Sequence, residues 1–106
     1  MSNEELKLRI CKNALDATNI KLALVPETLR PMYLTIQAQL SFLVDFFNGV
    51  NNQHARLHEL NFGHIAVREI ENSDPEYAHL LKLAFYVAYQ TGLGVKLDQR
   101  FIIENT

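Results

Sequence analysis

The chain carries one cysteine, no tryptophan, four glycines and three prolines in 106 residues, and it has no long apolar run. Each shortage excludes something. A lone thiol, Cys11, permits no internal disulfide, so stability has to come from packing. No apolar stretch approaches the ~20 residues that a membrane span requires. With ten basic against twelve acidic side chains and a formal charge of −2, the basic excess of a nucleic-acid binder is missing. The N-terminus, MSNEELKLRI, opens with acids and lacks a basic region followed by an apolar one, so no secretory signal is expected. Together with the single cysteine, this points to the cytoplasm.

What is present fits one soluble helical domain spanning residues 1–106. A hydrophobic fraction of 48% against 21% charged is ordinary for a globular chain, and this length buries roughly 65% of the unfolded surface without metal or disulfide support.

The most complete element reads from Ser73 to Gly94, SDPEYAHLLKLAFYVAYQTGLG. Asp74 is placed to cap its first turn, and Pro75 has the preset φ and missing N–H that suit a first helical position. Tyr77, Leu81, Ala84 and Ala88 share one face, while Leu80, Leu83, Phe85 and Val87 widen the apolar surface well beyond a stripe. Such a helix is expected to be the member on which the others pack, ending with Gly92 as a left-handed stop.

Ahead of it, Ser2 and Glu5 form a capping-box pattern, and Leu6, Ile10, Cys11, Ala14 and Leu15 ladder through a first helix expected to end near Asn19. Lys21 to Arg30 reads as a connection, because Val25 and Arg30 each precede a proline and are biased away from helical dihedrals. A second helix follows from about Pro31 to Asn48, carried by Met32, Ile36, Leu40, Leu43 and Phe47, with Gly49 at its end. NGVNNQ is a turn. From His54 to Glu71 the spacing suggests two short helices bent at Gly63, and Val95 to Thr106 alternates weakly, as a docked extended tail would. The fold class is all-α, a bundle of four to five helices with short connections.

Candidate chemistry is sparse. His54 and His58 are four apart and would share one face of a helix, but the catalytic HExxH pattern is absent and Arg56 lies between them; surface histidines are the simpler reading. Their use as metal ligands would require stoichiometric zinc or iron in purified protein. Cys11 sits within a packing ladder with no histidine partner at motif spacing, and TGLG lacks the strand and following helix of a phosphate loop. No catalytic residue, metal or cofactor is therefore expected. Acids in REIENSDPE divide into two sets. Asp74 and Glu76 suit the start of a helix, whereas Glu69 and Glu71 stand at a helix end, where the dipole disfavours anions, leaving room for a partner.

From about Gln39 to Asp98, and most clearly in LHELNFGHIAVREIENSDPEYAHLLKLAFYVAYQTGLGVKLD, the chain resembles a family of small helical immunity proteins that neutralise an NAD(P)+-hydrolysing toxin of type VI secretion. The resemblance rests on Leu57, His58, Gly63, Ile65 to Val67, Glu69, Asp74 to Glu76, Ala84, Tyr86, Val87, Thr91, Gly92, Gly94, Lys96 and Asp98, whereas the first 38 residues match poorly. It implies a binding protein that docks on the cognate toxin domain and blocks its NAD+ pocket, with no catalysis of its own. The expected contact is a polar corner formed by His58, Asn61, His64, Arg68, Glu69 and Glu71, with Tyr77 near the rim. Competing classes are an immunity protein of this fold against another toxin activity, and a homo-oligomeric structural or regulatory protein, which predicts a stable dimer.

Overall fold

A computed structural model describes residues 2–106. Its regular elements are helical throughout: α1 (Asn3–Leu22), α2 (Arg30–Phe47), a 3₁₀ turn (His54–Glu59), α3 (Phe62–Ile65), a π turn (Ala66–Ile70), α4 (Pro75–Gly92) and α5 (Gln99–Asn105). None of the described helices is long and apolar enough to cross a membrane.

Local signals account for the three long helices. The Ser2 hydroxyl accepts from the Glu5 amide at 3.2 Å, Glu4 and Glu5 occupy the positive end of α1, and Lys21 occupies its last turn. Leu6, Ile10, Ala14, Thr18 and Leu22 are buried at four-residue intervals. That ladder carries α1 past Asn19 to Leu22, one turn beyond the expected end, because Leu22 still has core to fill. The Arg30 guanidinium then donates to the Leu22 carbonyl at 3.1 Å, tying the two-proline connection together. α2 buries Tyr33, Ile36, Leu40 and Leu43 and stops at Gly49, whose φ of +78° only glycine adopts freely.

α4 begins as the sequence suggests, with Asp74 accepting from the Tyr77 amide at 3.3 Å and Pro75 in the first turn. Its end differs. Gly92 is still helical, and Gly94, at φ +71°, makes the left-handed turn. The tail also differs: Val95 to Thr106 is not an extended segment. Asp98 caps the Arg100 amide at 2.7 Å, and Gln99–Asn105 closes into α5, with Phe101 packed on Tyr86 at 4.5 Å between ring centroids. A weak alternation over so few residues does not separate strand from helix when one aromatic contact decides the docking.

α1 packs between α2 and α4, and α4 in turn carries α1, the 3₁₀ turn, α3 and the π turn. The centre is thus shared by α1 and α4 rather than belonging to α4 alone. One core joins Leu6, Cys11 and Ala14 of α1 to Ile36, Leu40 and Leu43 of α2 and Leu81, Ala84 and Val87 of α4. Burial holds the Cys11 sulfur as a thiol, pushing its pKa up to about 12 against the opposing pull of Lys7. It packs as a small hydrophobe. Between α1 and α4, Lys21 and Asp74 form an ion pair at 2.5 Å. The hydrogen bond between them is the leading cause that raises the lysine and lowers the carboxylate from their ordinary values.

Candidate interaction corner

Residues 53–71 turn a tight corner against one flank of α4. Leu57, Phe62, Ala66 and Ile70 anchor it from inside, all buried. No local side chain caps α3; the cap comes from another helix. Gln39 of α2 accepts from the amides of Asn61 at 2.9 Å and Phe62 at 3.0 Å, while its own amide donates to the Asn61 side-chain oxygen at 2.6 Å. Two N–H groups at a helix start are satisfied by one residue 22 and 23 positions away.

Two glycines let the corner lie close. A Cβ on Gly63 would sit 2.3 Å from the Phe85 ring, and one on Gly92 would sit 3.3 Å from the His58 ring. The bend falls at Leu60 and Asn61 and not at Gly63, which lies inside α3. Gly63 is required by its contact with Phe85, whereas a Cβ on Gly92 would ask only a small shift of the exposed His58 ring. The short helix then widens into the π turn, marked by the Glu71 amide donating to the Ala66 carbonyl five residues back at 2.9 Å. Such single wide turns are frequent at functional sites. Here it keeps Ile70 inside while Val67, Arg68 and Glu69 face solvent.

His58, Asn61, His64, Arg68 and Glu69 all belong to this corner and are exposed. One expected member does not join them, and another is only partly exposed. Tyr77 is 2% exposed; its ring stacks on Tyr33 at 5.9 Å and its hydroxyl bonds Thr18 at 2.7 Å, so it is a core residue and not a rim residue. Burial, more than any neighbouring charge, pushes its pKa up to about 12. Glu71 is half-buried and paired with Lys82 of α4, which gives it a structural partner that spacing along the chain could not reveal.

The histidine pair is also rearranged. A 3₁₀ turn advances ~120° per residue, so positions four apart diverge by ~120° rather than sharing a face. His54 donates through Nε2 to the Thr91 carbonyl at 2.8 Å, whereas the His58 ring lies over Gly92. Among the described residues, no group of three or more His, Cys, Asp or Glu side chains is placed to hold a metal ion.

The sequence reading missed the apolar half of the site. Three adjoining hollows of about 380, 420 and 200 Å³ open on the corner and share His64. Val67 lines two of them, and Phe85 and Tyr89 of α4 line two. The imidazole of His64 stands edge-on to Phe85 at 5.3 Å. The signal was the surplus apolar surface of α4, more than one packed face can consume.

The arrangement defines a small helical protein whose most developed feature is an open, aromatic-floored surface with polar rims. The family model for Tsi6 matches residues 7–90, so the chain belongs to the Tsi6 family. The match reaches back through the two-proline segment and most of α1, so most of the first 38 residues, which resemble the family poorly, belong to it as well. Immune protein Tsi6 of Pseudomonas aeruginosa PAO1 is 38% identical over 65 residues, which is 61% of this chain and 69% of that protein. In the solved structure of Tse6 in complex with Tsi6, a chain aligns with a TM-score of 0.79 and 32% identity. The alignment covers 87% of this chain and 96% of that one.

Proposed function

We propose that the chain is an immunity protein that binds a cognate NAD(P)+-hydrolysing toxin domain and occludes its active site. The observation that carries this reading is the likeness, over 87% of this chain and 96% of the other, to a chain from the structure of Tse6 in complex with Tsi6. The protein works as one helical domain and performs no reaction; it excludes nucleotide by occupying the approach to the toxin's pocket. Since NAD(P)+ is an intracellular substrate, the protector acts in the cytoplasm.

A standard interface buries about 800 Å² on each partner, a modest share of the 6355 Å² exposed here. The corner supplies the contact, with His58, Asn61, His64 and Arg68 near its centre. Glu69 stands at the edge, where a charge tunes capture rate more than affinity.

The test is co-expression with the cognate toxin domain, scored by survival and intracellular NAD(P)+. Survival with NAD(P)+ maintained is the expected result. Cell death with the chain folded and abundant would overturn the reading.

A further inference from the structure

α4 is apolar on two faces, and only one is consumed by the core. Tyr77, Leu81, Ala84 and Ala88 are buried, whereas Phe85, Tyr89 and Leu93 recur at four-residue steps along another side. Tyr89 is 56% exposed and Leu93 51%, and Val67 of the π turn, 51% exposed, flanks the same groove. Phe85 is half-buried against Phe62 and Gly63, but half or more of Tyr89, Leu93 and Val67 is left uncovered by the chain.

Its charge is one-sided. The linings of the three hollows include Arg68 and Lys82 but no aspartate or glutamate, in a chain whose formal charge is −2, and the nearest acid, Glu71, is already paired with Lys82. Arg68 takes part in none of the ion pairs among the described residues. Lys82 is held by Glu71 in a partly exposed pair that an incoming carboxylate can share at little cost. A second copy of this chain suits the face poorly, because a two-fold contact centred there would oppose Arg68 of both copies, with Glu71 already engaged by Lys82.

We propose that this face is the anchor of the toxin contact. It receives a loop of the toxin domain that seats an apolar side chain between Val67 and Tyr89 and sets carboxylates against Arg68 and Lys82. The proposal rests on the immunity reading and adds the chemistry of the partner surface, which is apolar at its tip and acidic around it. Buried aromatic contacts ringed by charge are where binding energy concentrates.

The experiment measures the affinity of the purified full chain for the cognate toxin domain, at low and high salt. Val67→Ser and Tyr89→Ser should each weaken binding about 30-fold or more. Arg68→Glu should weaken it about tenfold and flatten its salt dependence. Leu24→Ser, which alters a 77% exposed apolar residue at the α1–α2 connection, should stay within about threefold of wild type. Circular dichroism and melting temperature check that each variant folds; the altered side chains are exposed, so they should. Wild-type affinity in Val67→Ser and Tyr89→Ser would overturn the anchor while leaving the immunity reading intact. A wild-type chain that fails to bind the toxin would overturn both. Light scattering adds a third outcome: a dimer dispersed by Tyr89→Ser with toxin affinity unchanged would assign the face to self-association and sink the proposal.

Discussion

The phenolic hydroxyl of Tyr77 on α4 lies 2.7 Å from Oγ1 of Thr18 on α1, and the direction of that bond can be deduced. Thr18 gives its only hydroxyl proton to the Ala14 carbonyl at 2.8 Å, so Tyr77 is the donor. The bond joins two long helices inside the core. Tyr77→Phe should cost about 1 kcal/mol, and Thr18→Val, which leaves the tyrosine hydroxyl without an acceptor, about 1–3 kcal/mol. Urea unfolding measures both. Toxin affinity at saturating folded protein should not change in Tyr77→Phe, because the side chain is inside.

Gly63 meets Phe85 too closely for any side chain. Gly63→Ala should destabilise the chain by about 1–3 kcal/mol through overpacking. Phe85→Leu in the same chain should recover part of the loss, so a double-mutant cycle by thermal melting should show coupling. Strict additivity would mean that the two residues do not meet.

Gln39 acts as a cap supplied from a distant helix. Gln39→Ala should release the amides of Asn61 and Phe62 and cost about 1–2 kcal/mol. Hydrogen exchange should speed up at those two amides, with little change in the middle of α1. Gln39→Glu should be milder, since it keeps the accepting oxygen and loses only the donation to Asn61.

Stability should fall on the alkaline side. Cys11 rises from an ordinary 9.0, and Tyr77 from 10.0, each to about 12. Lys21 is also raised from 10.5. For a raised group the stabilisation is complete below the unfolded-state value and is lost as pH climbs through the folded one. Denaturant midpoints should therefore decline between about pH 9 and 12, and Cys11→Ala should flatten the earliest part of that decline. Asp74 runs the other way. Its pKa is lowered from 3.8, so its contribution holds at neutral pH and disappears as pH falls through the depressed value. Lys21→Met should remove most of that acid-side slope. A slope unchanged in the variant would show that the pair is not its source.

Glu71 tests the division between structure and contact at the corner. Its pairing with Lys82 is partly exposed, so Glu71→Gln should alter stability by less than ~1 kcal/mol. Freeing Lys82 should leave toxin affinity unchanged or slightly stronger. A large loss of affinity would return Glu71 to the contact, where chain spacing had first placed it.

The amino-acid order by itself determined the three long helices, their caps at Ser2, Asp74 and Pro75 and their buried stripes. Those features depend on residues three and four apart, which hydrogen-bond or align within a single element. It also brought His58, Asn61, His64, Arg68 and Glu69 into one corner, because the break between the two short elements, at Leu60 and Asn61 and not at Gly63, is short enough to keep neighbours in sequence neighbours in space. Only the tertiary structure decided that Tyr77 points into the core, that Glu71 is answered by Lys82, and that Gln39 caps α3. It also decided that Phe85 and Tyr89 floor an open groove. Each of these depends on which helix arrives opposite, and α4 carries more apolar surface than one neighbour can cover. Periodicity shows that a face is apolar; packing decides which face stays open.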